Sequence, residues 1–214
     1  PEFQQFPGVD VRIPKTLVLC PDIFDHFMED NNLYPIALSD APDEEILAAF
    51  LRGQLPDTLR DDVFAFCQVV DNPIAVRSSS LLEDAHYQPY AGVYSTYMVP
   101  NGDAQISRLA DAIKGVYASV FYRASKSYMA ATSNVIDQEK MAIILQEVVG
   151  DRHGNRFYPN CSGVARSLNF YPVGDEKAEE GVVDLALGLG KHIVDGGRAL
   201  RGSPAHPTHV MQTS

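Results

Sequence analysis

The chain has 214 residues, 45% of them hydrophobic, a formal net charge of −11 and a pI near 4.8. That length and apolar content suffice for one large domain or two sub-lobes with a substantial core, and they exclude a disordered chain. The acidic balance argues against nucleic-acid and anionic-membrane surfaces, which need a basic face to displace counterions, so an anionic ligand would require a local basic pocket.

In chain order, "TLVLC" at 16–20 reads as a buried strand, followed by Pro21 at a first helical position and the amphipathic "DIFDHFMEDN". "APDEEILAAFLRG" repeats the pattern of proline and acidic first turn, and Gly53 is placed to stop the helix. Leu59, Val63, Phe66 and Val70 recur at helical spacing and predict a further helix. "PIAVR" is a short apolar strand, and "GVYSTYMVP" is rich in β-branched and aromatic residues. From 103 to about 131, Ile106, Leu109, Ile113, Val116, Val120 and Ala124 fall on one face of a long helix in which Gly115 marks a weak or kinked point. "MAIILQEVVG" is a continuous apolar strand, "SGVARSLNFYP" alternates in part, and "EGVVDLALGLG" reads as a strand entering a glycine turn. The expected architecture is α+β or α/β, with sub-lobes 1–135 and 136–214 and with the strands of "MAIILQEVVG" and "GVVDLALGLG" as neighbours.

No apolar run approaches the roughly 20 residues of a membrane span, and the opening "PEFQQFPGVDVR" lacks a charged-then-apolar targeting pattern. Cys20, Cys67 and Cys161 are widely spaced and odd in number, which speaks against a disulfide framework or a zinc site. A reducing, cytoplasmic setting is expected. The start at Pro1 and the unpatterned end "GSPAHPTHVMQTS" suggest a piece of something longer.

The run "AVRSSSLLEDAHYQPYAG" at 75–92 carries the chemistry. Arg77 closes an apolar strand with a planar five-donor fork that matches phosphate oxygens. Ser78, Ser79 and Ser80 add hydroxyls, and Ala91-Gly92 lets the backbone approach a ligand closely. Ser80-Leu81-Leu82-Glu83 also fits a helix capping box, and the two readings are compatible. "LALGLGKH" hints at a phosphate-binding loop, but Leu185 stands where its first glycine belongs and His192 where Ser or Thr belongs. None of the six histidines falls in an H-x-x-x-H or HExxH pattern, so no metal site is read from them.

"VRSSSLLED", "YAGVYSTYMVPN", "VYASVFYRASKSY", "MAIILQEVVG", "SGVARS" and "ALGLGKHIVDGG" occur in the order and spacing of the nucleotide-binding domain of the phosphoenolpyruvate synthase and pyruvate phosphate dikinase family, which the chain resembles from about residue 16 onward. The resemblance implies an ATP-grasp-like fold that clamps ATP between two α+β lobes, with Mg2+ in the complete enzyme. It implies that Arg77 and Arg123 contact phosphates, that Gly92 to Thr96 covers them, and that the edge of Gln146, Glu147, Val148 and Val149 reads the adenine. Ile143 to Val149 also reads simply as a core strand, and Arg123 as a helix-surface ion-pair partner. In such enzymes the β-phosphoryl group of ATP passes to a histidine on a separate swivelling domain and then to pyruvate.

This sequence departs from the pattern in several places. Lys191 follows G-L-G where many members have glutamate, no histidine lies in the setting of the family's phosphorylated one, and neither the glycine-lysine-glycine segment nor the acidic and Gln-x-Arg elements for magnesium and ribose are present. The expectation is a dikinase ATP-binding portion that is inactive alone. The alternatives are a non-catalytic nucleotide- or partner-binding module and a related phosphotransferase with another acceptor.

Overall fold

A computed structural model describes residues 7–80, 94–131, 140–190, 193 and 198–212. The chain divides into two compact units, Pro1–Val148 and Val149–Ser214. Both combine antiparallel sheet with helix or turn, so the fold is α+β.

The first unit is built on a four-stranded sheet in the order β1-β4-β2-β3, where β1 is Thr16–Leu19, β2 Ile74–Ser79, β3 Tyr97–Val99 and β4 Ala142–Glu147. Alternation along each strand separates its faces. Leu19, Ile74, Val76, Val99, Ile143 and Leu145 are buried on one, while the other carries Val18, Met98 and Arg77, all exposed, with Ile144 and Gln146 half-buried.

Helices cover the buried face. In α1 (Pro21–Asp30) proline occupies the first turn and Phe24, Phe27 and Met28 turn inward at helical spacing. A short α2 (Tyr34–Ala37) leads to α3 (Asp43–Arg52), whose first turn holds Asp43, Glu44 and Glu45 and whose buried residues are Ile46 and Phe50. Gly53 does stop α3, but in extended conformation, φ −63°. Its lack of a side chain is required by close approach, because a Cβ there would lie 2.9 Å from the Phe27 ring. The fourth helix, α4 (Asp57–Val69), buries Leu59, Val63 and Phe66 as its spacing predicts. Phe24, Phe27, Phe50, Tyr117 and Phe121 form the aromatic centre of the core, with ring centroids 5.1 to 6.3 Å apart in the contacting pairs.

The long helix read across 103–131 is two helices, α5 (Gln105–Ser119) and α6 (Arg123–Ala131). Hydrogen bonding at the corner explains the break. In a continuous helix the Arg123 N–H would donate to the Ser119 carbonyl. Here that carbonyl accepts from Ser125 Oγ at 2.7 Å and from the Tyr122 N–H, and the Arg123 N–H donates to Asp43 Oδ1 at 2.8 Å instead. Gly115 is not a kink; α5 runs straight through it, and its hydrogen leaves room for Tyr97.

The second unit holds a hairpin of β5 (Asp151–His153) and β6 (Arg156–Tyr158) and a four-stranded sheet in the order β10-β9-β8-β7. Its strands are β7 (Cys161–Arg166), β8 (Val182–Leu187), β9 (Leu200–Gly202) and β10 (Val210–Gln212). The expected pairing of the two apolar strands is therefore corrected. Strand β4 pairs with β1 and β2, whereas β8 pairs with β7 and β9. For the same reason the division falls after Val148 rather than near 135: β4 is interior to the first sheet and cannot be separated from it. Cys20, Cys67 and Cys161 are free thiols, and no helix among the described residues is long and apolar enough to cross a membrane.

Candidate nucleotide site

Arg77 lies near the end of β2, on the sheet face away from the helices, paired in register with Ile144 of β4. Gln146 faces the same way two residues further along β4, opposite Ala75, so Arg77 and Gln146 are diagonal neighbours on one face. The β2–β3 ladder pairs Ile74 with Val99, Ala75 with Met98 and Val76 with Tyr97. Continuing that register by one residue sets Thr96 opposite Arg77. Thr96 is exposed, as is Arg77.

The first turn of α6, which Arg123 opens, is tied to the approach to β3 through a buried serine. The Ser95 N–H donates to Ser119 Oγ at 3.1 Å, Ser119 Oγ donates to the Val116 carbonyl at 2.7 Å, and Ser125 Oγ donates to the Ser119 carbonyl. Ser119 is fully buried. It thus fastens the residue before Thr96 and the residue two past Arg123 to one corner. Beside that corner Tyr122 has its hydroxyl pKa pushed up to about 12, by burial first and then by Tyr97, Asp43 and Glu44. The Arg123 side chain is exposed.

Neither guanidinium makes an ion pair or hydrogen bond among the described residues, although the chain carries 28 acidic side chains. Elsewhere Arg12 pairs with Asp10, Lys140 with Asp25 and Arg201 with Glu176. Arg77 thus offers an exposed, unpaired guanidinium on the open sheet face, and Arg123 offers one at the start of α6.

The remaining expected residues distribute differently. Gln146 Nε2 donates to Thr16 Oγ1 at 3.2 Å. Glu147 Oε1 accepts from Asn72 Nδ2 at 3.0 Å, the Glu147 N–H donates to the Lys15 carbonyl at 2.9 Å, and the Val148 N–H donates to the Pro73 carbonyl at 2.8 Å. Both of those N–H groups are committed within the first unit. Val149 is exposed and begins the second unit. Gly92, the capping-box residues 81–83 and Lys191 lie outside the described residues. Among the described residues no group of three or more His, Cys, Asp or Glu side chains is arranged to hold a metal ion.

Sequence reading did not single out Asp43, Ser95 or Ser119. Asp43 stands 80 positions from the residue it caps, and Ser119 lies inside an apolar helical stripe. The tripled hydroxyls of 78–80 drew attention, whereas the hydroxyls that shape the corner are dispersed.

Residues 5–209 match the family model of the pyruvate phosphate dikinase AMP/ATP-binding domain. The chain is 28% identical over 187 residues to an uncharacterized phosphotransferase, YvkC, of Bacillus subtilis (strain 168), which covers 86% of this chain and 20% of that protein. It is 28% identical over 160 residues to a phosphoenolpyruvate synthase of Aeropyrum pernix, covering 72% of this chain and 18% of that one. The chain thus spans about a fifth of the length of these curated relatives. With the family model covering nearly all of it, the chain belongs to the pyruvate phosphate dikinase AMP/ATP-binding domain family.

Proposed function

We propose that the chain is the ATP-binding portion of a phosphoenolpyruvate synthase-like dikinase, with an ATP-grasp-like arrangement of two sub-lobes and a cytoplasmic setting. Arg77 and Arg123 hold phosphate oxygens, Thr96 and the segment through Gly92 lie over them, and the C-terminal end of β4 with Val148 and Val149 lies beside the base. The observation that carries this reading is the match of residues 5–209 to the AMP/ATP-binding domain family, beside two exposed guanidiniums, Arg77 and Arg123, that make no ion pair among the described residues.

Each residue has a defined task. The arginines neutralise oxygens of the triphosphate and hold it in orientation, which is the protein's main contribution to phosphoryl transfer. Gln146 presents a side-chain amide on the Arg77 face; the N–H groups of Glu147 and Val148 are already donated and one amide N–H goes to Thr16 Oγ1, so the second amide N–H is the β4 donor for a base edge. Bound ATP supplies the phosphoryl group, with Mg2+ neutralising its oxygens. The acceptor is a histidine on another domain, which passes the group to pyruvate. This portion alone binds Mg-ATP weakly, because it carries no glycine-lysine-glycine segment, and transfers no phosphoryl group, because none of its histidines lies in the acceptor setting.

Lys191, in place of the family's usual glutamate, favours a second reading as a nucleotide-binding module without transfer. Turnover of ATP by the full-length protein with pyruvate, beside a variant lacking its acceptor histidine, separates the two. Transfer that disappears with that histidine supports the dikinase, and tight binding without turnover supports the module. Failure of Mg-ATP or AMP to bind the full-length protein at millimolar concentration sinks both.

A further inference from the structure

We propose that Asp43 is the positioning residue for Arg123: its carboxylate caps the first N–H of α6 from a different helix and thereby sets where the Arg123 guanidinium stands. The proposal rests on the reading of Arg123 as a phosphate ligand, and it adds a residue 80 positions away to that task.

Arg123 is the first residue of α6, so its N–H has no partner within its own helix. The preceding helix cannot supply one, since the Ser119 carbonyl is taken by Ser125 Oγ and the Tyr122 N–H. Asp43 Oδ1 accepts that N–H at 2.8 Å, and its charge suits the positive end of the α6 backbone dipole. A second tether lies one turn on, where Lys126 Nζ donates to the Ser39 carbonyl. Burial lowers the Lys126 pKa, while Asp40 and Asp43 act to keep it charged. The connector 39–43 therefore grips the first turn of α6 at two points, and α3, which Asp43 opens, is anchored in the core by Ile46 and Phe50.

The choice of acceptor matters as much as the grip. A carboxylate this close could have paired with the Arg123 guanidinium. It bonds the backbone instead, and among the described residues the guanidinium makes no ion pair. The acid thus orders the arginine without neutralising it, and the side chain remains open to an anionic ligand.

A double-mutant cycle on the full-length protein tests this, with Mg-ATP titrated by calorimetry and thermal midpoints recorded for every variant. Asp43→Ala is expected to weaken Mg-ATP by about 2- to 30-fold, the range of a lost helix cap. Asp43→Asn retains the Oδ1 acceptor and is expected to bind near the wild-type level. In an Arg123→Ala background, Asp43→Ala is expected to change affinity no further, because its effect passes through the arginine. A merely structural role would weaken both backgrounds by the same factor, and that result overturns the proposal, as does an Asp43→Ala protein that binds like wild type while Arg123→Ala binds poorly. Wild-type binding by Arg123→Ala removes the phosphate-ligand reading itself, and the proposal with it. Should Asp43→Ala fail to fold, Asp43→Leu, which keeps the shape of the side chain but has no acceptor, takes its place in both backgrounds.

Discussion

The backbone N–H of Ser95 donates to the hydroxyl of Ser119 at 3.1 Å, joining the approach to β3 to the last residue of α5. The Ser119 hydroxyl donates to the Val116 carbonyl, and its own carbonyl accepts from Ser125, so one fully buried residue holds Ser95, next to Thr96, on one side and Ser125, two past Arg123, on the other. Replacing Ser119 with alanine leaves a part-buried N–H without its acceptor, at a cost of about 1–3 kcal/mol. Chemical denaturation is expected to show a lower midpoint with unchanged slope. Mg-ATP affinity should fall as well, since both flanking residues lose their anchor.

Arg77→Ala and Arg123→Ala are each expected to weaken Mg-ATP about 10- to 100-fold, as for loss of a charge-assisted hydrogen bond to phosphate. Lysine at either position should recover only part of this, because a point charge replaces a planar fork. Calorimetric titration decides it, and affinity unchanged by both alanine variants would remove the phosphate-binding assignment.

Much of the first unit was legible because its signals are local. Phe24, Phe27 and Met28 repeat at helical spacing behind a first-turn proline, and β2 turns from Val76, buried, to Arg77, exposed, where its chemistry begins. The α5–α6 corner was not legible. Val116 and Val120 continue the apolar stripe through the break, which is made by Asp43 and by hydroxyls whose bonding partners only the folded chain brings near. Nor does an apolar run declare its strand partners: "AIILQE" and "VVDLAL" look alike as sequences but belong to different sheets. Arg77 could be nominated from strand pattern and charge, while the supports of Arg123 could not.

Gly115→Ala tests the close approach between α5 and β3. A Cβ at this position would meet Tyr97 Oη at 2.7 Å and its ring at 2.9 Å. Helix propensity alone would favour alanine by about 1 kcal/mol, but overpacking costs about 1–3 kcal/mol, and the ring is wedged between helix and sheet. The expected result is a net loss of stability. Adding Tyr97→Phe, which removes the nearest atom, should restore part of it in a denaturation series.

In the second unit, the loop between β7 and β8 is held by a polar network whose strength depends on pH. Glu176 Oε2 accepts from the Val173 N–H at 3.1 Å and from Asn169 Nδ2 at 2.9 Å, and it lies 3.5 Å from Arg201 Nη1; Arg201 Nη2 in turn donates to Asn169 Oδ1 and to the Tyr171 carbonyl. The Val173 N–H, then Asn169 and Arg201, hold the Glu176 carboxyl below its ordinary value of 4.5, against the burial that opposes them. A carboxyl whose pKa is lower in the folded than in the unfolded chain binds fewer protons when folded. Its contribution to stability is therefore present above 4.5 and is lost as pH falls through the lower folded value. Glu176→Gln keeps an oxygen acceptor but removes the charge, so it should lower stability near neutral pH and leave less of it to be lost in acid. Denaturant midpoints followed from about pH 6 down to about pH 3 should converge for the two proteins at the acid end. Parallel curves would mean that the network holds its loop by shape and hydrogen bonding, with no part played by the Glu176 charge.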